Sequence, residues 1–340
     1  MMTVTNSMVR LAKPVVTDAE GNVVAAPELL FFNLVTAVHQ VSQDLINSHY
    51  NATDLAQLAS GVDVAGMPLP STAAAAADRL GWRPKWKVSN SRVLKMGQSN
   101  TVAVLKGQAW RLELFHMLLP IIPARDQLFY NQRSLQKITT QLAVSINRYT
   151  DEVSVRAMVR SMMNYFDKHK KYPATYFDLF PTPPTAPTLA NLGAVDKQYA
   201  TRTVGNINGT LTYVLSSKLP AVVNGAWVYK SYTVTFNIAD CYQSRVRATL
   251  EDSSAGLTLP AVRVDKKGDL HVTTTLQETV PVPVHGSSHT VIGVDLNRDR
   301  ILTGTVIQYD PKTGAYTHSA HVHTFDGLGL FAKTLRLGQE

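Results

Sequence analysis

Thr290-Val291-Ile292-Gly293-Val294-Asp295-Leu296-Asn297-Arg298-Asp299-Arg300-Ile301-Leu302 sets a single carboxylate at the end of a short apolar run, and the rest of the chain is read outward from it. An ionised Asp is costly to bury without compensation, and a divalent cation is a common compensation. Asp295 is therefore the leading candidate site residue. The plainer alternative is an Asp that caps a strand end or a turn. Residues 290–296 are expected as a strand, 302–309 as a second and 316–325 as a third. Asp310-Pro311-Lys312-Thr313-Gly314 has the composition of a tight turn joining the last two.

The 340 residues allow two or three domains, and 45% hydrophobic with 17% charged residues is an ordinary globular balance. A formal charge of +8 favours a polyanionic partner without requiring one. The single cysteine, Cys241, excludes an internal disulfide framework and a Cys-rich zinc ribbon within these residues, and it fits a reducing compartment. The first fourteen residues lack the long apolar core of a signal peptide, and no run approaches ~18 apolar residues, so the expected location is cytoplasmic.

Upstream, the grammar changes twice. Residues 1–25 look like an extended strand pair closed by the turn Asp18-Ala19-Glu20-Gly21-Asn22. Residues 26–180 read as a helical lobe. Leu29, Phe32, Leu34, Val35, Val38, Val41 and Leu45 recur at helical spacing, a second helix is expected from about Asn100 to Leu119 before Pro120, and a third from Asp126 toward Tyr149. Thr150-Asp151-Glu152 then has the makings of a cap that launches residues 153–168. The Pro-rich segment 180–187 marks a boundary. Residues 195–280 read as an antiparallel sheet, closing as a small β-barrel, with strands at 211–215, 227–238, 244–250, 262–264 and 270–276. A second linker, Val280-Pro281-Val282-Pro283-Val284-His285-Gly286, precedes the last region, 288–340.

A carboxylate-bearing strand followed by a hairpin is the opening of a ribonuclease H-like fold, in which a helix beginning near Gly327 comes next. The order of regions resembles the TnpB-like, transposon-encoded RNA-guided nucleases and the type V CRISPR effectors. Two stretches bear the resemblance. Val264-Asp265-Lys266-Lys267-Gly268-Asp269-Leu270-His271-Val272-Thr273-Thr274-Thr275-Leu276 is similar to the last hairpin of the wedge β-barrel in that family, and Val291-Ile292-Gly293-Val294-Asp295-Leu296-Asn297 is similar to its first RuvC motif. The resemblance covers roughly 262–335 closely and the rest only in architecture.

The resemblance implies an α+β multidomain protein: wedge strands at 1–25, a helical recognition lobe at 26–180, an antiparallel β-barrel wedge domain at 195–280 and the start of a RuvC domain at 288–340. It implies guide RNA and target DNA as partners. Asp295 would be both the first catalytic carboxylate and a Mg²⁺ ligand of a DNA endonuclease. The Glu and Asp of the later RuvC motifs, and the paired zinc cysteines between them, match no position here. The expectation is an N-terminal portion of such an enzyme, inactive alone, whose site a further segment or a second polypeptide would complete. An RNA-guided DNA-binding protein without cleavage and a structural or coat protein without an active site are the alternatives. An actin-like ATPase also opens on such a strand, but Leu296-Asn297-Arg298-Asp299-Arg300 lacks the glycine of its phosphate turn.

Candidate nucleic-acid-binding cations are Arg83, Lys85 and Lys87, beside Trp82 and Trp86, and Arg111, Arg125, Arg133, Lys137, Arg148, Arg156, Arg160, Lys168, Lys170 and Lys171. Tyr130, Tyr149, Tyr165 and Tyr172 lie among them, and Arg with aromatic rings suits phosphate contact together with base stacking. The competing reading is a solvated helix face or, for Trp82 to Lys87, an anchored loop. His321 and His323 share a strand face, a weak metal spacing with no fixed acidic or Cys partner. Asp299 and Asp310 are better placed as turn residues, and Asp326 as a helix cap.

Overall fold

The computed structural model describes residues 2–10, 13–88, 90–128, 140–142, 152–193, 200–207, 209–224, 226–251, 256–265, 267, 269–280, 290–295, 302–309, 316–318 and 323–325. The chain divides into one unit of Thr3–Glu278 and another of Met1–Met2 with Thr279–Glu340. It is a mixed α+β structure of helices and antiparallel sheets. Among the described residues no helix is long and apolar enough to cross a membrane.

Helix α1 (Pro27–His49) starts with Pro at its first position and Glu28 in its first turn, both suited to a helix N-terminus. Its spacing of three and four buries Leu30, Phe31, Leu34, Val35, Val38, Val41 and Leu45, while Leu29, assigned to this stripe from sequence, stays exposed. Helix α2 (Ala52–Ser60) is capped by Asn51, whose side chain accepts from the Asp54 N–H, and ends at Gly61 in the left-handed region (φ 72°). Helix α3 (Ala73–Arg79) opens on five alanines, the strongest helix formers.

Helix α4 (Ser91–Leu118) begins nine residues before the expected start near Asn100. Its first half buries three polar residues, Gln98, Asn100 and Thr101, of which Gln98 lies ahead of the expected start. Each is paired: Gln98 Nε2 donates to the Trp82 carbonyl at 3.0 Å, Asn100 Nδ2 to the Leu189 carbonyl at 2.8 Å and Thr101 Oγ1 to the Gly97 carbonyl at 2.9 Å. Gly97 lets α4 approach α1 closely, for a Cβ there would lie 2.3 Å from Val41 Cγ1. Of the helix expected over 126–149, residues 129–139 and 143–150 lie outside the described residues. Helices α5 (Glu152–His169) and α6 (Tyr176–Leu179) follow, α6 closed by a capping box between Thr175 and Asp178.

The sheets depart from the expected barrel. Strands β2 (Val15–Thr17), β4 (Ala200–Ile207), β5 (Thr210–Val223) and β6 (Ala226–Asn237) form an open sheet in the order β2-β6-β5-β4. Strands β1 (Met2–Arg10), β3 (Leu189–Asn191), β8 (Ala261–Val264) and β9 (Leu270–Val280) form a second, β1-β9-β8-β3, with β7 (Gly256–Leu257) also on β9. No barrel closes among the described residues, because each sheet order ends on two different edge strands rather than returning on itself. The two N-terminal strands do join sheets made elsewhere in the chain, but separate ones, so they are not a pair. The turn after β2 is as expected, with the Asp18 N–H donating to the Asn22 carbonyl at 3.0 Å.

Residues 244–250, expected as a strand, belong to helix α7 (Asp240–Glu251). Tyr242 and Val246, four residues apart, turn one face to the core, and the Gln243 side chain ties the first turn to Asp240 and to the Ile238 carbonyl. The alternation of Ser244 to Thr249 imitated a strand. One apolar cluster joins α1, α4 and α5 to both sheets; Phe31 of α1 meets Phe236 of β6 with ring centroids 6.1 Å apart.

In the other unit, β10 (Thr290–Asp295) pairs antiparallel with β11 (Leu302–Tyr309), which also pairs with β12 (Tyr316–His318) and β13 (His323–Phe325). Both short strands lie on the same partner, β12 beside Ile307 to Tyr309 and β13 beside Leu302 to Gly304. Together they occupy the expected third strand, with 319–322 between them outside the described residues.

Candidate nucleic-acid interface

Asp295 is the last residue of β10, opposite Thr303, and Gly293 lies opposite Thr305. It is the only acidic residue among the described residues of its unit. One carboxylate does not make a Mg²⁺ site, since a hard cation needs several oxygen ligands. The donor set described around Asp295 therefore does not fit the metal on its own, and no chemical step is assigned to it. Among the described residues no cluster of three or more His, Cys, Asp or Glu could hold a metal ion. His321, Asp299, Asp310 and Asp326 lie outside the described residues.

The cations separate into distinct environments. Arg125 is structural: its Nε and Nη2 grip Asp167 at 2.7 and 2.9 Å, while Nη1 donates to the Leu128 carbonyl. This bidentate fork fastens the 3₁₀ turn Arg125–Gln127 to α5. Tyr172 also serves structure, its hydroxyl donating to the Pro123 carbonyl at 2.8 Å. Trp82 is 1% exposed and stacks on His49 with centroids 4.5 Å apart, which is the anchored-loop reading. Around it, Arg83 pairs with Asp78 and the Lys85 N–H donates to Asp44 at 2.8 Å, whereas Trp86 is 40% exposed beside the exposed Lys85 and Lys87.

Below Trp82, His49 Nδ1 lies 3.0 Å from Asp54, which also accepts from Asn51 at 2.7 Å. Burial raises the Asp54 pKa, but these hydrogen bonds outweigh it and hold the carboxyl below its ordinary value. Arg111 is exposed on α4, near the phenols of Tyr50 and Tyr176. Burial pushes both phenols up, and Tyr176 donates to Gln108 at 2.8 Å.

The cations that come together are on α5. Val155, Met158, Val159, Met162 and Met163 bury one stripe, which leaves Arg160, Asn164 and Lys168 exposed along another, spaced by four residues. The stripe is ~12 Å long and runs on past the helix end into the exposed Lys170 and Lys171. Tyr165 stacks on His169 beside it, centroids 4.2 Å apart. Arg156 is half-buried, one turn before Arg160. Lysines at the C-terminal end also offset the helix dipole, worth ~0.3–1 kcal/mol, so the cluster serves α5 as well as any partner. Lys170 holds a left-handed backbone (φ 59°) and its N–H closes the helix on the Phe166 carbonyl at 2.6 Å. Arg133, Lys137, Arg148, Tyr130 and Tyr149 lie outside the described residues.

Sequence reasoning passed over a polar cavity of about 460 Å³ beside the four-stranded sheet. Arg92 and Lys218 line it together with Ser216, Ser231 and Thr233. The available signal is Ser231, Thr233 and Thr235 at alternate positions of β6.

No protein-family model matches the chain, and a search of curated proteins finds no match either.

Proposed function

We propose that this chain is the N-terminal, nucleic-acid-binding portion of an RNA-guided DNA endonuclease of the TnpB-like and type V kind. The observation that carries the reading is the antiparallel β10-β11-β12 arrangement, with Asp295 at the end of its first strand. An antiparallel meander whose first strand bears a carboxylate is how a ribonuclease H-like domain begins. The exposed Arg160, Lys168, Lys170 and Lys171 beside the Tyr165 and His169 rings support it, since they would meet phosphates and a base. In this reading the guide supplies sequence specificity and the protein supplies charge and shape.

The second reading is guided DNA binding without cleavage. The first experiment is to purify the chain from cells carrying its native flanking DNA and to sequence the RNA retained after a high-salt wash. One discrete RNA encoded beside the gene is the expected result; bulk cellular RNA, or none, sinks both guided readings. With that RNA in hand and the polypeptide encoded beside the gene added to complete the site, DNA cleavage abolished by Asp295→Ala separates the nuclease from the binding protein, for which that substitution leaves DNA occupancy unchanged and no cleavage exists to lose.

A further inference from the structure

We infer that the cavity between the four-stranded sheet and the start of α4 is a ribose-reading site that takes the sugar-phosphate backbone of single-stranded RNA. The inference rests on the reading that the chain binds RNA, and names where and how it tells RNA from DNA. Among the described residues the last β2 pairing is Thr17 with Thr233 and the first β4 pairing is Ala200 with Ser217, while β5 and β6 stay paired beyond them. The cavity lies beside these end pairings. Ser216, Lys218, Ser231 and Thr233 come from facing positions of these two strands, in the pairs Ser216 with Thr233 and Lys218 with Ser231.

The chemistry of the wall selects the ligand class. Its hydroxyls both donate and accept, as a ribose 2′-hydroxyl does. Arg92 and Lys218 supply positive charge for phosphate, and Asn90 caps α4 from the same wall by accepting from the Arg92 and Val93 N–H groups. Asp18 is the one acidic group lining it. Its oxygens are engaged within its own turn, Oδ1 by the Glu20 and Asn22 N–H groups and Oδ2 by the Asn22 side chain. Those bonds hold its pKa below the ordinary value and keep it ionised. Ala19, Ala200 and Tyr232 supply an apolar part of the wall, against which the carbon face of a sugar can rest. About 13 Å along β6 from Ser231, on the same strand face, lies half-buried Trp227, with Tyr229 between them. An indole there offers a base a stacking surface that is indifferent to sequence.

The test uses the whole chain and fluorescein-labelled twelve-nucleotide homopolymers of uridine, deoxyuridine and 2′-O-methyluridine, read by fluorescence anisotropy. The uridine oligomer is expected to bind about fivefold or more tighter than the other two, the value of one lost hydrogen bond. Ser231→Ala with Thr233→Val is expected to bring RNA down to the DNA level. Lys218→Ala should weaken both, and Thr203→Val, on the same sheet but outside the cavity, neither. Equal binding of the three oligomers by the unaltered chain overturns the inference without any variant having to fold, and leaves RNA binding intact. A ribose preference that survives the double substitution also overturns it. If no oligomer binds, the RNA reading itself fails and the inference falls with it.

Discussion

Substituting Gly97 by Ala tests the close crossing of α1 and α4. A Cβ at Gly97 would lie 2.3 Å from Val41 Cγ1 and 2.7 Å from Val41 Cβ. The second distance decides the outcome, because Val41 Cβ is fixed to the α1 backbone and cannot swing aside. The helices would have to separate, disturbing Ser42, whose hydroxyl donates to the Val38 carbonyl at 2.7 Å and to the Gly97 carbonyl at 3.3 Å. Overpacking of this kind costs ~3 kcal/mol, while Ala in place of Gly returns ~1 kcal/mol of helix propensity, leaving a net loss of ~2 kcal/mol. For a unit of this size that is a fall in Tm of about 4–8 °C by thermal melting. Gly107→Ala, on the same helix, is the internal control. It is exposed with nothing within 4 Å of its would-be Cβ, so it gains only propensity and raises Tm by about 2–4 °C. A Gly97→Ala protein as stable as the parent, or more so, would refute the close crossing of α1 and α4.

Three further outcomes follow from the same geometry. Lys170→Gly relieves a left-handed backbone and should stabilise the chain by ~1 kcal/mol in a thermal melt; a lower Tm would mean the lysine is not in that conformation. Asp54 has a depressed pKa when folded, so its contribution is fully present above its unfolded value of ~4 and is lost as pH falls through the folded value. The Tm advantage of the parent over Asp54→Asn should therefore shrink as pH falls below about 4, and an advantage that does not shrink on acidification would contradict the His49 and Asn51 hydrogen bonds. If α5 meets phosphates, Arg160→Ala and Lys168→Ala should each lower the salt dependence of nucleic-acid binding by about one counterion. Arg125→Ala should instead lower Tm and leave that slope alone, because its guanidinium is committed to Asp167.

Local pattern made some elements legible and tertiary partners hid others. The apolar spacing of α1, the start of α5 near Glu152 and the strands around Asp295 follow from periodicity and capping that a short window contains. The first nine residues of α4, Ser91 to Ser99, did not, because the buried Gln98 among them is satisfied by the Trp82 carbonyl, 16 residues away. Arg125 looked like a phosphate ligand for the same reason: nothing beside it in sequence announces Asp167, 42 residues on. The barrel failed on pairing. Strand composition around Val15 and Thr235 shows that each is extended, but not that β2 ends after three residues and leaves its sheet open. Lys168, Lys170 and Lys171 were legible as a surface cluster because charge at a helix end needs no distant partner to stay exposed.

Past Ser217 on one strand and Thr233 on the other, the β5-β6 ribbon has a free margin on each side among the described residues. The eleven residues from Leu219 to Tyr229 contain no charge, and Val222, Val223 and Val228 are exposed. Unpaired N–H and C=O groups beside valines are a template on which another extended segment can crystallise as a new strand. Lys218 and Lys230 stand at the two entrances to that stretch, where like charge makes edge-to-edge stacking of two copies unfavourable. Neutralising both is therefore expected to make the protein cloud as its concentration rises, an outcome that light scattering checks.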